Sequence, residues 1–120
     1  MKPHYVSFVF LFAVSAILAG CGTDSPTGPT PPAADVTIGV VAINGSNSFS
    51  PNPTTITAGQ SVTWKNNDSA VHRMVQDTAG FATGDVSTGQ STAAITLSTR
   101  GTLTYHCSIH PAMTGTIVVQ

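Results

Sequence analysis

The sequence TLTYHCSIHPAMTG at residues 102–115 joins a strand pattern to a loop rich in sulfur and imidazole side chains. From Thr102 to Cys107 the residues alternate, which is typical of a β-strand with one buried face. Leu103, Tyr105 and Cys107 share the inward face, and His106 lies on the opposite face. Cys107 is therefore expected to point inward at the end of its strand, where the following loop brings two further donor groups beside it.

Those two groups are His110 and Met113, and His72 supplies a second imidazole from upstream in the chain. One thiolate, two imidazoles and one weak thioether form a ligand set that suits copper in electron transfer. A lone histidine such as His72 is more often a solvent-facing or core residue, so its predicted role as a ligand depends on the other three donors. The sequence thus predicts a metal centre assembled from two separate segments.

Two other chemistries use cysteine and histidine at similar spacing. Structural zinc sites contain more thiolates or imidazoles than this chain offers, and methionine is a poor zinc ligand. Nucleophilic catalysis by Cys107 with His110 would need a substrate pocket and an oxyanion site, and the sequence signals neither. Both alternatives are weaker than copper.

The remainder of the chain follows the pattern of short strands separated by turns, with no sustained helical period. This pattern predicts an all-β protein, an antiparallel β-sandwich of about seven strands. The connection at residues 78–91 is rich in glycine and polar residues and is expected to be irregular. Strands are predicted at residues 36–43, 54–57, 61–65, 71–77, 93–98, 102–107 and 116–120.

The first 34 residues differ from this pattern. Residues 1–20 have a positive start, an apolar run and small residues at its end, as in an export signal, whereas a buried helix would rarely show this layout. Residues 18–21, Leu-Ala-Gly-Cys, resemble the lipobox of bacterial lipoproteins, which implies cleavage before Cys21 and acylation of its thiol. Residues 21–34 are rich in Pro, Thr and Gly and predict an extended linker. The folded domain is expected at residues 35–120.

The cysteine count and the charge narrow the function. Two cysteines in an exported protein would by default suggest a disulfide. A lipid on Cys21 would leave Cys107 without a disulfide partner, and binding a metal would give this lone thiol a role. Only 8% of the residues are charged and no basic cluster is present, which excludes a nucleic-acid partner.

Residues 35–120 resemble a cupredoxin, a type 1 blue-copper domain of the plastocyanin, pseudoazurin and amicyanin group. The resemblance rests on Phe49-Ser50-Pro51, on ITAGQSVTWKNND at residues 56–68, on the histidine at 72 and on Cys107-x-x-His110-x-x-Met113. It implies a Greek-key β-sandwich of seven to eight strands and one copper ion, Cu(I)/Cu(II), held by His72, Cys107, His110 and Met113.

The resemblance also implies a function. The chain is expected to be a monomer and not an enzyme, carrying single electrons between a transient redox donor and acceptor. With the lipid on Cys21, it would be an exported, membrane-anchored protein that faces the periplasm or the cell exterior. The alternative is a copper-binding or copper-delivery protein without an electron-shuttle role.

The sequence departs from the family pattern at two positions. Arg73 stands beside the first ligand histidine, where the family usually has an asparagine that ties the two ligand loops together. Ile109 stands between the ligand cysteine and histidine, where the family often has proline. The first change is expected to alter the hydrogen bonding near the Cys107 sulfur, and such changes tune potential and affinity.

Overall fold

The computed structural model describes residues 35–120, which contain eight strands and a single 3-10 turn at Gly45–Asn47. None of these residues belongs to a helix long and apolar enough to cross a membrane. The predicted signal at residues 1–20, the linker at residues 21–34 and Cys21 lie outside the described residues. The strands are β1 Val36–Val40, β2 Phe49–Ser50, β3 Thr54–Ile56, β4 Ser61–Asn66, β5 Met74–Gln76, β6 Ile95–Thr96, β7 Gly101–Cys107 and β8 Thr114–Val119.

The strands form two four-stranded sheets, in the orders β2-β1-β4-β6 and β3-β8-β7-β5. The predicted β-sandwich is confirmed. Its sheets are mixed rather than purely antiparallel, because β1 pairs parallel with β4 and β3 pairs parallel with β8. The chain passes from one sheet to the other between β2 and β3 and at each of the next four connections. Crossovers of this kind allow parallel neighbours, which a tight hairpin does not.

Alternation of side chains builds the core, as expected for strands with one solvated face. In β4, Val62 and Trp64 are fully buried, while Thr63 between them and Lys65 after them are partly exposed. In β7, Tyr105 and Cys107 are fully buried, and the Tyr105 ring lies 4.9 Å from that of Phe49 and 5.4 Å from that of Trp64, measured between centroids. Burial raises the pKa of Tyr105 well above its usual value.

The two segments that carry the predicted ligands meet at one end of the sandwich, here called the loop end. β4 finishes there at Asn66, β7 finishes there at Cys107, and β8 starts there at Thr114. β1 runs parallel to β4, so it starts at the opposite end, and the carbonyl of its last residue, Val40, accepts a hydrogen bond from the N–H of Asn67 at 2.9 Å. The domain is therefore entered at Asp35 from the end away from the loops.

Several strands are shorter than the sequence pattern suggested. β1 stops at Val40, β5 occupies only the second half of its predicted range, and β6 occupies only the middle of its range. The connection between β5 and β6 is irregular, as expected, and it is tied to β4 and β5 by the isolated bridges Lys65–Ser91 and Val75–Ala82. β8 begins at Thr114, two residues before its predicted start, which brings the last strand directly against the ligand loop.

Candidate metal centre

The loop from Cys107 to Met113 is closed by its own backbone. The N–H of Cys107 donates to the carbonyl of Met113 at 3.0 Å, and two further bonds, His110 N–H to Cys107 and Met113 N–H to His110, form successive turns of 3.1 and 2.9 Å. Beyond the loop, a side chain at Gly115 would overlap the buried ring of Tyr105, with a Cβ only 2.6 Å from its Cε1. The loop is thus held in one shape at the end of two paired strands.

Three donor atoms meet inside this loop end. The Sγ of Cys107 lies 3.7 Å from Nδ1 of His72 and 3.7 Å from Nδ1 of His110. The three atoms all lie within 4.8 Å of one another, and the two imidazole rings are 5.1 Å apart between centroids. His72 and Cys107 are fully buried and His110 is half-buried. The structure therefore brings together three of the four residues that the sequence singled out, each with one ring nitrogen or sulfur turned inward.

These separations fit a single metal ion. Bonds of about 2.3 Å to sulfur and about 2.0 Å to nitrogen, opened at about 120°, place sulfur and nitrogen about 3.7 Å apart. Distance alone would also fit zinc, so the donor types matter. Two imidazoles with one thiolate and a weak thioether are the donors that copper takes in electron-transfer sites, and zinc sites rarely use methionine.

Met113, the fourth predicted ligand, is fully buried at the end of the same loop. Its carbonyl accepts the N–H of Cys107, and its N–H donates to the carbonyl of His110. These two hydrogen bonds fix the position of the Met113 backbone relative to Cys107 and His110. A methionine in this place is fully desolvated and available as a thioether at the protein interior.

The sulfur of Cys107 also accepts a hydrogen bond from the backbone. The N–H of Arg73 lies 3.4 Å from Sγ, and the N–H of Ser108 donates to the carbonyl of Arg73 at 2.8 Å. The side chain of Arg73 points elsewhere and pairs with Asp85 at 2.6 Å. The backbone of Arg73 therefore connects the segment of His72 to the segment of Cys107. The sulfur accepts its hydrogen bond from the Arg73 amide, because the arginine side chain is paired with Asp85 instead.

Asp68 belongs to the site, although the sequence analysis did not identify it. Its Oδ2 lies 2.9 Å from Nε2 of His72, the ring nitrogen that faces away from Cys107. Its Oδ1 accepts the N–H of Ser69 at 2.7 Å. The Ser69 N–H and then the His72 ring lower the pKa of Asp68 below its usual value. The sequence signalled this contact only through the spacing of four residues between Asp68 and His72. That spacing predicts a side-chain contact on a helix, and these residues lie in a turn.

The remaining charged residues near the site form surface pairs. His106 was predicted to lie on the face of its strand opposite Cys107, and it is partly exposed with its Nδ1 2.6 Å from Oδ1 of Asp77. Asp77 and Asp85 lie in the connection between β5 and β6. Both are exposed, and each is paired, with His106 and Arg73 respectively. None of these four side chains is turned toward the Cys107 sulfur.

Comparison with known proteins agrees with this geometry. The model of the cupredoxin-like domain family matches residues 8–119. The chain is 33% identical to a plastocyanin of Scenedesmus fuscus, a match that covers 72% of this chain and 100% of that protein. It is 32% identical to a plastocyanin of Rumex obtusifolius over 64% of this chain and 92% of that protein. The chain belongs to the cupredoxin-like family.

Solved structures show the same fold. A purple cupredoxin from Nitrosopumilus maritimus superimposes with a TM-score of 0.65 at 26% identity, over 72% of this chain and 100% of that one. An oxidised amicyanin variant superimposes with a TM-score of 0.62 at 21% identity, over 71% of this chain and 81% of that one. Cupredoxins bind one copper ion, and the donor set at the loop end fits one such ion.

Proposed function

We propose that this protein is a type 1 copper electron carrier whose metal is held by His72, Cys107, His110 and Met113. The observation that supports this most directly is the inward convergence of two Nδ1 atoms on one sulfur at 3.7 Å. Copper supplies a one-electron couple, Cu(I)/Cu(II), when it is bound to such donors. Four protein donors leave no open coordination position for a substrate, which argues against an enzyme.

The way the donors are held favours electron transfer over copper delivery. His72 and Cys107 are fully buried, and the loop from Cys107 to Met113 is closed by three backbone hydrogen bonds. Handing copper to another protein would require these donors to separate or a new ligand to enter. Moving an electron requires neither, and a rigid site avoids rearrangement when the charge of the metal changes.

His110 is the donor through which an electron would leave, because it alone among the three is partly exposed. Pro111 and Ala112 beside it are exposed as well. The large apolar side chains that are exposed among residues 35–120 are Val41, Ile43, Val71 and Ile109.

All of these side chains belong to the loop end. Val71 and Ile109 precede the two histidine donors. Val41 and Ile43 lie in the connection after β1, where Asn52 bonds both the carbonyl of Ser46 and that of Thr114. A cluster of exposed apolar side chains around a partly exposed ligand suits brief contacts with redox partners, for which a small interface is enough.

The location follows from the sequence and is part of the same proposal. The first 20 residues would export the chain, and acylated Cys21 would hold it at a membrane outside the cytoplasm. Replacing Cys21→Ala and fractionating the cells tests this, since the wild-type protein is expected with the membranes and the variant is not. An equal distribution of the two proteins would remove the tether from the proposal.

The copper site is tested by loading the purified protein with Cu(II) and recording its visible spectrum and voltammogram. An intense thiolate-to-copper band and a reversible wave are expected. Cys107→Ser should abolish the band, whereas the matched control His106→Asn, one position away on the other face, should keep it. Copper loading without an intense band would contradict the type 1 assignment.

Copper delivery makes a different prediction. A delivery protein would pass its copper to an apo acceptor or a chelator quickly, and an electron carrier would exchange an electron quickly and its copper slowly. Stopped-flow mixing of the Cu(I) protein with an oxidant, and separately with a copper chelator, compares the two rates. Faster loss of copper than of the electron would favour delivery.

A further inference from the structure

The ring of His72 has a different partner at each of its two nitrogens. Nδ1 faces the Cys107 sulfur at 3.7 Å and Nε2 faces the Asp68 carboxylate at 2.9 Å. A neutral imidazole carries one proton, and the nitrogen that holds it is set by the hydrogen bond it makes. A carboxylate only accepts hydrogen bonds, so the proton belongs on Nε2 and the lone pair of Nδ1 is turned toward the metal position.

We propose that Asp68 is a positioning residue that selects the metal-binding tautomer of His72 and fixes the plane of its ring. This inference rests on the proposed copper site and adds a residue that the four donors do not include. His72 is fully buried, so Asp68 takes the place that water would have at an exposed imidazole. Without it, either ring nitrogen could carry the proton, and one of the two forms cannot bind a metal through Nδ1.

Asp68 is itself held in place by two hydrogen bonds besides its contact with His72. Oδ1 accepts the N–H of Ser69 at 2.7 Å, and the N–H of Asp68 donates to Oδ1 of Asn66 at 2.9 Å. Asn66 is fully buried and donates to the carbonyls of Ala70 and Val86 at 2.7 and 2.8 Å. The backbone of His72 exchanges two hydrogen bonds with Val86. Carboxylate and ring are thus oriented by the same turn, which the buried Asn66 side chain holds in place.

The carboxylate also acts through the ring on the metal. A partner of this kind raises the basicity of a ligating imidazole, and its loss typically weakens metal binding 10–100-fold. A more basic ligand and a nearby negative charge favour the more highly charged oxidation state. Removing Asp68 should therefore weaken Cu(II) binding more than Cu(I) binding, and the reduction potential should rise. A tenfold difference between the two losses corresponds to about 59 mV for one electron.

The chain contains a natural control for this arrangement. Asp77 pairs with His106 at 2.6 Å, but through Nδ1, and both side chains are about one-third or more exposed. This histidine faces away from the Cys107 sulfur. Asp77→Asn therefore removes a carboxylate from a second Asp–His pair without touching the proposed donors.

The variant Asp68→Asn tests selection of the tautomer. Asn has one acceptor oxygen where Asp has two, and the Ser69 N–H demands that oxygen. The amide NH₂ then faces Nε2 of His72 and donates to it, which moves the ring proton to Nδ1. Asp68→Ala removes the preference altogether, and Asp68→Glu restores a carboxylate.

The experiment measures the tautomer of His72 by ¹⁵N NMR in the metal-free full chain, and then the copper affinity and potential of the loaded chain. We expect the Nε2–H form in the wild type and in Asp77→Asn, and the Nδ1–H form in Asp68→Asn. Copper affinity should fall about 10–100-fold in Asp68→Asn and Asp68→Ala, recover at least in part in Asp68→Glu, and stay within about twofold in Asp77→Asn.

Two results would overturn the role of Asp68. One is an Nδ1–H tautomer in the wild type, which needs no variant and no copper. The other is a folded Asp68→Asn protein with the Nε2–H form and the same affinity and potential as Asp77→Asn. Failure of the wild type to bind copper would instead overturn the proposed function. The tautomer of His72 in the metal-free chain would still decide whether Asp68 selects it.

Discussion

Asn66 offers a sharp test of how the loop end is held together. This side chain is fully buried and makes three hydrogen bonds, two within the turn that leads to His72, at 2.7 and 2.9 Å, and one to the carbonyl of Val86 at 2.8 Å. Each such bond contributes about 1 kcal/mol net, so Asn66→Ala should lower the free energy of unfolding by about 3 kcal/mol. In Asn66→Ala the carbonyl of Val86 does not lose all its hydrogen bonds, because it still accepts the N–H of His72.

A loss of about 3 kcal/mol is a large part of the stability of a small domain, and it should lower Tm by about 12–24 °C. Thermal and urea unfolding of the metal-free protein, followed by circular dichroism, gives both quantities. Asn67→Ala is the matched control, since that side chain is exposed and its loss should cost less than about 0.5 kcal/mol. If the two variants unfold within 0.5 kcal/mol of each other, the buried network does not support the turn as the hydrogen bonds indicate.

Three further changes have distinct expected results. Gly115→Ala forces a methyl group into the Tyr105 ring and should cost about 3 kcal/mol or more in chemical denaturation, whereas Gly84→Ala, which meets nothing within 4 Å, should cost little. Met113→Leu should keep the intense visible band and raise the reduction potential; an unchanged potential would remove Met113 from the site. The raised pKa of Tyr105 means that the folded state keeps a proton that the unfolded state loses, so stability should fall as the pH rises above about 10, by less in Tyr105→Phe.

Much of the fold could be predicted from alternation alone. The strands that bury one face, β4 and β7, follow their sequence pattern closely, because Val62, Trp64, Tyr105 and Cys107 must all turn inward. Alternation specifies which face of a strand is buried, but it does not specify which strand lies beside it. The parallel pairings of β1 with β4 and of β3 with β8 depend on crossovers between sheets, and no local pattern encodes them.

The same limit applies to the site. His110 and Met113 could be assigned to it because they follow Cys107 within six residues and share its loop. Asp68 could not, since its link to His72 depends on the buried Asn66 that shapes the turn between them. The pairing of Asp77 with His106 was equally hidden, because the two residues come from different parts of the chain and meet only through the pairing of β5 with β7.

The parallel run of β1 beside β4 gives the domain a direction. Asp35 and His110 lie at opposite ends, separated by at least the length of β1, which at about 3.3 Å per residue is roughly 16 Å. A domain attached to a surface through the chain before Asp35 would thus hold His110 at the end away from that surface. Rotation of the domain about this attachment would move His110 through solution rather than bring it against the surface. A longer linker would therefore increase the number of partners that His110 could contact.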